Sequence, residues 1–238
     1  MTILAATGLQ RERRILSSPD VLVLAGGGDQ VRLEAELERL AGKARGIISI
    51  GIAGALAPGL RPGNWVVAEA VLHGDARFPA DAAWSRRLLA TLPGAVAGLQ
   101  LGTDVMVAQA VDKAALHRRT GATAVDMESH IAARVALRHA LPFAAARVIS
   151  DAAQRSLPSA AQRGMRPDGG MDLPAVLRSL LMGPFQLPAL IRTGLEAERA
   201  FRALLRGHRL LGPRLLGPRF PGLGPGGPDL GQLPLDMA

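Results

Sequence analysis

The chain has 238 residues, 48% of them hydrophobic, and this length and composition predict one globular domain of about 200 residues. It contains no cysteine, which excludes disulfide bonds and thiolate metal sites. The net charge is +8, yet only 3% of the residues are aromatic, so few side chains are available to stack on bases. Since no nucleic-acid-binding signature is present either, we expect no nucleic acid partner.

The sequence does not predict a membrane span or a secretion signal. The longest uncharged stretch, residues 46–60, has 15 residues and is rich in glycine. A span needs roughly 20 predominantly apolar residues. The first ten residues lack the basic and apolar regions of a signal peptide. We therefore expect a cytoplasmic protein.

The first part of the chain alternates short apolar runs with helical patterns. The apolar runs predict strands at residues 3–7, 21–25 and 46–50. A short helix is expected over residues 10–16, and Asp29 precedes an amphipathic helical pattern over residues 31–41. This alternation is typical of an α/β fold with a mostly parallel sheet.

The same alternation continues through the middle of the chain. Strands are predicted at residues 64–72 and 98–107, and helices at residues 81–92 and 112–119. Asp104 falls inside the second of these strands. From the spacing alone we interpret Asp104 as a solvated side chain.

Residues 123–153 organise the rest of the chain. Two apolar runs end in Glu128 and Asp151, and a segment with helical spacing separates them. Ser129 is expected to cap this helix and Pro142 to end it. In open α/β sheets, residues at the carboxyl ends of strands face the ligand crevice. The placement of both carboxylates therefore predicts an enzyme.

The C-terminal part has a different composition. Residues 187–205 have a helical pattern, and from residue 207 onwards the chain is dense in glycine and proline, which predicts a disordered tail. We expect a catalytic domain at 1–182, a helical C-terminal extension at 183–206 and the tail at 207–238.

Three motifs occur in one order, GIAGAL at 51–56, VDME at 125–128 and RVISD at 147–151. Together with TGLQRERRIL at 7–16, they resemble the purine nucleoside phosphorylase and nucleosidase superfamily, whose simplest relative is methylthioadenosine/S-adenosylhomocysteine nucleosidase. The resemblance covers about residues 1–182. It implies a nucleoside phosphorylase-like, three-layer αβα fold, in which helices flank a twisted, mixed, mostly parallel sheet.

Further motifs are similar to one branch, the hopanoid-associated phosphorylases. These are VLHGDARFPADAAW at 71–84, DMESHIAAR at 126–134 and the extension rich in Arg, Leu and Pro. The branch is implicated in converting adenosylhopane to ribosylhopane by removing adenine. The resemblance therefore implies cleavage of the N-glycosidic bond of a lipid-linked adenine nucleoside.

The resemblance also assigns roles to residues. Asp151 would protonate N7 of the departing adenine, Glu12 would activate water, and Glu128 would bind the ribose. The other expected substrate contacts are Met127, Ala53, Gly54, Met106, Val107 and Ser150.

The residues alone leave structural interpretations open. Asp151 could cap a helix that follows a strand, and Glu128 could favour the start of the next helix. Glu12 lies among three arginines, a pattern typical of a solvated charged face. Met106 is of a type usually found in the core.

The nucleophile, water or inorganic phosphate, is also open. In much of the family the loop that matches residues 51–54 carries Ser or Thr where this chain has Ile52, and hexameric phosphorylases have an arginine near the position of Ser49. Loss of that hydroxyl would weaken phosphate binding about tenfold or more. Glu12 is a hydrolase feature, so we favour water and keep phosphate as the alternative co-substrate.

Partners and alternative functions follow from the same features. The apolar segment 180–191 is either a peripheral contact with the inner membrane or a surface packed on its own domain or a second subunit. We expect a homodimer without a cofactor, and no metal because the five histidines show no metal-ligand spacing. The alternatives are a soluble methylthioadenosine-type nucleosidase or other purine nucleoside phosphorylase, and a catalytically silent binding protein with this fold.

Overall fold

A computed structural model of the chain describes residues 2–159, 161, 184–212 and 217. Its strands are β1 (Thr2–Thr7), β2 (Val21–Ala25), β3 (Ala44–Ala55), β4 (Trp65–His73), β5 (Ala76–Pro79), β6 (Val96–Gly102), β7 (Ala124–Asp126) and β8 (Phe143–Asp151). Its helices are α1 (Gln10–Leu16), α2 (Gln30–Ala41), α3 (Ala82–Thr91), α4 (Ala110–Thr120), α5 (Ser129–Arg138) and α6 (Leu187–Leu211), and a 3₁₀ turn at Pro184–Gln186 precedes α6.

The strands form one mixed, mostly parallel sheet whose centre closes into a ring. β3 pairs in parallel with β8, β8 pairs antiparallel with β4, and β4 pairs in parallel with β6. β7 closes the ring, because it pairs with β6 on one side and with the end of β3 on the other. β1 and β2 extend the sheet beyond β3, and β5 extends it beyond β4. The pairing of β3 with β8 places Gly54 beside Asp151.

Helices cover the sheet on both sides. On one side, α1, α3 and α6 share a buried apolar cluster that includes Leu16, Trp84 and Leu204. On the other side, α2 and α5 meet in a second cluster that includes Leu37 and Ile131. The resulting three-layer αβα arrangement confirms the predicted fold class.

The predicted elements are present, with some shifted ends. β3 continues to Ala55 instead of ending at residue 50, because its second half finds partners in both β8 and β7. β5 was not predicted, and it forms a hairpin with the end of β4. The strand predicted at 98–107 was wrong in its second half: β6 ends at Gly102, so Asp104 lies in a loop, where it is exposed.

α6 packs on the domain through one face. Ala200, Ala203, Leu204 and Leu211 are buried in the same cluster as the sheet, and the helix runs to Leu211 instead of residue 205. Among the described residues, no helix is long and apolar enough to cross a membrane. Of the predicted tail, residues 213–216 and 218–238 lie outside the described residues, and the segment expected at 180–191 is described from Pro184 onwards.

Candidate active site

One cavity of about 220 Å³ opens at the carboxyl ends of β1, β3, β7 and β8. All nine residues that the resemblance assigned to the site line it: Glu12, Ala53, Gly54, Met106, Val107, Met127, Glu128, Ser150 and Asp151. The order of the strands thus brings together residues that lie as far apart in the sequence as positions 12 and 151. The lining residues Thr193 and Ala197 come from α6.

Glu12 is held rigidly at the base of α1, with only 1% of its surface exposed. One carboxylate oxygen, Oε2, accepts hydrogen bonds from Oγ1 of Thr7 and, at 2.6 Å, from the backbone N–H of Leu9. The other oxygen, Oε1, accepts from the N–H of Ile52 at 2.6 Å. The interpretation of Glu12 as part of a solvated charged face is therefore wrong, because α1 turns this side chain inward between β1 and β3.

Glu128 lies two residues after the end of β7 and is also buried. Burial raises the pKa of its carboxyl to about 8, and the nearby acids Asp126 and Glu12 act in the same direction. The Arg147 guanidinium opposes this rise, with Nη2 lying 3.4 Å from Oε2 of Glu128. In this environment the carboxyl gives up its proton only at about pH 8.

Arg147 on β8 is a fully buried cation that the sequence did not single out. Its Nε lies 3.1 Å from Oδ2 of Asp126, and its Nη2 donates to Oγ of Ser49 at 2.5 Å. Burial opposes the charged form of Arg147, but the carboxylates of Asp126 and Glu128 outweigh it and raise the pKa of the guanidinium. An arginine inside the apolar run 143–149 was the available signal, since a lone charge in a buried strand requires buried partners.

The N-cap residue of α5 is Glu128, and the carboxylate of Asp126, rather than the hydroxyl of Ser129, binds the N–H groups at the start of the helix. Oδ1 of Asp126 accepts from the backbone N–H groups of Glu128 at 2.8 Å and Ser129 at 2.7 Å, while its Oδ2 accepts from Nε2 of Gln100 at 2.7 Å. Ser129 is the first residue of the helix, so its predicted role as the cap was wrong. This arrangement leaves the side chain of Glu128 available to the cavity.

Asp151 ends β8 and is 6% exposed in the cavity wall. Its Oδ1 accepts from Oγ of Ser150 at 2.6 Å. Its Oδ2 accepts from the ammonium of Lys113, a buried residue of α4 that sequence reasoning missed. The interpretation of Asp151 as a helix cap is wrong, because its carboxylate is engaged by side chains and no described helix begins there.

The remaining wall of the cavity is largely apolar. Met106 and Val107 come from the loop after β6, Met127 from the turn after β7, and Leu157 from the segment after β8. An apolar wall of this kind suits a heteroaromatic base.

A possible set of metal ligands lies outside the cavity. Among the described residues, His73, Asp104 and His130 each offer one ligand atom, and these atoms lie within 4.8 Å of one another. However, the rings of His73 and His130 stack face to face, with centroids 4.2 Å apart and planes inclined by 10°. A shared metal should lie near both ring planes, which this stacking prevents, so we assign no metal here. Burial and then the neighbouring His73 lower the pKa of His130.

A closed mixed sheet between helical layers, with buried carboxylates at the carboxyl ends of its strands, defines the nucleoside phosphorylase-like class of α/β proteins. The chain belongs to the phosphorylase superfamily, because the sequence model of that family matches residues 21–182. This confirms the superfamily that the motifs resemble. No curated protein sequence matches the chain significantly.

Solved structures with the same fold align over most of the chain. A putative methylthioadenosine nucleosidase from Weissella paramesenteroides has a TM-score of 0.60 at 20% identity, covering 87% of this chain and 98% of its own. The 5′-methylthioadenosine/S-adenosylhomocysteine nucleosidase from S. pneumoniae has a TM-score of 0.58 at 16% identity, with coverages of 89% and 100%. Futalosine hydrolase from Helicobacter pylori has a TM-score of 0.59 at 14% identity, with coverages of 88% and 97%. At these identities the comparison establishes the shared fold.

Proposed function

We propose that the protein hydrolyses the N-glycosidic bond of an adenine nucleoside and releases adenine. The observation that carries this proposal is the convergence of three buried carboxyl groups, those of Glu12, Glu128 and Asp151, on one cavity with an apolar wall. Glycoside cleavage requires an acid for the leaving group and negative charge beside the sugar, which becomes cationic in the transition state.

Asp151 is proposed as the general acid. As the glycosidic bond breaks, the bond electrons move onto the base, and a proton at N7 neutralises the charge that develops. A placed proton donor contributes about 10²–10⁴-fold to the rate. Asp151 suits this role because it lies in the cavity wall next to Ser150, at the end of a rigid central strand.

Glu128 and Met127 are proposed to bind the ribose. A carboxyl group can accept from sugar hydroxyls, and its ionised form stabilises the positive charge of the ribose in the transition state. Glu128 is already fixed by its position at the start of α5, so little orientation is lost on binding. Ala53 and Gly54 are proposed to pass close to the sugar, while Met106 and Val107 contact the base.

Glu12 is proposed to activate a water molecule, with water preferred over phosphate. The described residues that line the cavity include the acids Glu12, Asp126, Glu128 and Asp151 and no basic side chain. Phosphate would have to approach several carboxyl groups without a facing cation, which is electrostatically unfavourable. The two buried cations that contact lining residues are already engaged, Arg147 by Asp126 and Ser49 and Lys113 by Asp151.

Adenine release from adenine nucleosides, with and without inorganic phosphate, tests this function. We expect release in phosphate-free buffer, and Glu12→Gln or Asp151→Asn should lower kcat by about 10² or more. Glu69→Gln, which changes an exposed glutamate of β4, is the matched control and should leave kcat unchanged. Strict dependence on phosphate would show that phosphate, and not water, is the nucleophile. A folded protein that releases adenine from no nucleoside would instead support the silent binding protein.

We further propose that the substrate is adenosylhopane, as the motifs of the hopanoid-associated branch imply. The apolar outer face of α6 supports this substrate: Leu187, Ile191 and Leu195 lie on successive turns and are 47–58% exposed. Thr193 and Ala197 of the same helix line the cavity, on the side of α6 that is turned away from this stripe. An apolar chain that leaves the cavity and passes round α6 would meet this surface instead of water.

The same surface is proposed to contact the cytoplasmic side of the inner membrane peripherally. Phe185 is 82% exposed just before α6, and the side chain of Arg192 is 58% exposed beside the apolar stripe. Buried apolar area and basic residues together drive interfacial binding, with about 1 kcal/mol for each basic residue near anionic lipid. Co-sedimentation with anionic liposomes should fall strongly for the double variant Ile191→Asp, Leu195→Asp. Undiminished binding of the double variant would show that this surface does not contact the membrane.

Substrate comparison separates the lipid enzyme from a soluble nucleosidase. Adenine release from adenosylhopane in liposomes, and little release from methylthioadenosine, is the expected result. Release from methylthioadenosine alone would favour the soluble nucleosidase. We also propose a homodimer, which sedimentation equilibrium tests directly.

A further inference from the structure

Lys113 of α4 is buried against the group proposed as the acid. Its side chain is 0% exposed, and its ammonium pairs with Oδ2 of Asp151. Nζ also donates to the carbonyl oxygens of Arg155 at 2.9 Å and Ala152 at 3.4 Å. The ammonium thus contacts the end of β8 and the segment that follows it.

Basic residues in this chain are otherwise almost always arginine. Lys43 and Lys113 are the two lysines among 28 basic residues, and Lys43 is exposed at the end of α2. Burying an ammonium is unfavourable unless a charged partner and further hydrogen bonds compensate it. Asp151 and the two carbonyl groups meet this requirement, so Lys113 and Asp151 form one unit.

Two further hydrogen bonds connect the start of α4 to the segment after Asp151. The N–H of Leu157 donates to the carbonyl of Ala108 at 2.9 Å, and the N–H of Ala110 donates to Oγ of Ser156 at 3.0 Å. Leu157 itself lines the cavity. Lys113 is therefore buried at the centre of the contact between α4 and the segment after β8. This contact determines the positions of Asp151 and of this wall of the cavity.

We propose that Lys113 is a positioning residue for Asp151, which holds its carboxyl in place and stabilises the charge formed when it acts as an acid. This inference rests on the proposed function. In the proton-transfer step, the O–H bond of the Asp151 carboxyl breaks, an N–H bond forms on the leaving base, and the O–H electron pair remains on the carboxylate. The ammonium of Lys113 keeps its protons throughout. The described arrangement, with donors on both oxygens of Asp151, corresponds to the carboxylate left after the transfer.

The test compares two leaving groups in the Lys113→Met variant. Adenine needs a proton to depart, whereas p-nitrophenolate, released from p-nitrophenyl β-ribofuranoside, leaves as a stable anion. We expect kcat for the adenine nucleoside to fall about 10–100-fold with little change in KM, because acid catalysis is impaired. Cleavage of the p-nitrophenyl riboside should fall less than about threefold. A role restricted to holding the fold would lower both activities equally, and this outcome would overturn the inference.

A second variant keeps the test valid if Lys113→Met does not fold. Asp151→Asn, Lys113→Met contains no unpaired buried charge, and its activity should equal that of Asp151→Asn alone, since Lys113 acts through Asp151. A further loss in the double variant would contradict the proposal. Lys43→Met, the matched control, should leave both activities unchanged. If the wild-type protein cleaves neither substrate, the proposed function itself fails, whereas equal losses with an active wild type refute only the role of Lys113.

Discussion

Gly51 lies directly against Glu12: a Cβ added at position 51 would stand 2.5 Å from Oε1 of the glutamate and 2.9 Å from Nη1 of Arg147. Both neighbouring side chains are buried, so neither can move aside into solvent. We expect Gly51→Ala to displace Glu12, to lower kcat for adenine release at least tenfold, and to destabilise the fold by about 1–3 kcal/mol. Steady-state kinetics and chemical denaturation measure the two effects.

Gly42→Ala is the matched control for this substitution. Gly42 is the C-cap of α2 with φ −61°, and a Cβ there would meet no atom within 4 Å. The free energy of unfolding of the Gly42→Ala variant should differ from that of the wild type by no more than about 0.5 kcal/mol, and kcat should be unchanged. Equal effects of the two substitutions would show that crowding at Glu12 is not the cause.

The raised pKa of Glu128 predicts a pH-dependent stability. A carboxyl whose pKa in the folded protein is about 8 stabilises the fold fully below its ordinary value of 4.5, and this contribution is lost as the pH rises through 8. Glu128→Gln removes that titration. The variant should therefore gain stability relative to the wild type by up to about 1.4 kcal/mol for each pH unit between these values.

Urea denaturation of both proteins at several pH values measures this gain. The substitution also removes the contact with Arg147, which changes the difference in stability between the variant and the wild type by a similar amount at every pH. The relevant result is therefore the trend of this difference with pH. A difference that stays constant between pH 4.5 and 8 would mean that the pKa of Glu128 in the folded protein is not raised above its ordinary value.

Arg147 should be essential for stability. It lies among the buried acids Asp126 and Glu128, and removing it leaves the charge of Asp126 uncompensated. We expect Arg147→Met to cost about 3–5 kcal/mol in the free energy of unfolding, measured by denaturant titration. Arg39→Met, which changes an exposed arginine of α2, should cost less than about 1 kcal/mol. Similar costs for the two variants would contradict the buried network.

The contact between α6 and the sheet can be tested with two glycines of the same helix. A Cβ at Gly207 would lie 2.3 Å from Cζ2 of Trp65, whereas a Cβ at Gly194 would meet nothing within 4 Å. Gly207→Ala should therefore destabilise the domain by about 1–3 kcal/mol. Gly194→Ala should stabilise it by up to about 1 kcal/mol, because alanine is the better helix former.

Thermal unfolding of the two variants provides the measurement. A lower Tm for Gly207→Ala and an equal or higher Tm for Gly194→Ala are expected. If Gly207→Ala left the Tm unchanged, α6 would not be packed on Trp65 in solution.

Local patterns predicted much of the fold. Asp29 was expected before a helix and does cap α2, by accepting from the N–H of Arg32 at 3.0 Å. The apolar run that ends in Asp151 is β8, as expected. Such features depend on the spacing of apolar residues and on capping chemistry, which act between residues close in sequence. The hairpin β4–β5 and the early end of β6 were missed because pairing partners, and not local pattern, decide where those strands form and stop.

The candidate site was predictable in its residues but not in its electrostatics. The family motifs predicted Glu12, Glu128 and Asp151 as residues of one site. The order of the strands explains why all three line the same cavity. Sequence alone could not place Lys113 beside Asp151, since the two residues come from α4 and β8.

The sequence by itself determined the strand and helix order, the fold class and the superfamily, because hydrophobic periodicity and ordered motifs are properties of the chain. Only the tertiary structure decided which charges are buried and with which partners. In the sequence Arg147 is a lone charge in an apolar run, and only the folded structure shows that its partners are Asp126 and Glu128. The energy of a charge depends on its distance from other charges and from water, and both distances are set by packing between segments far apart in the sequence.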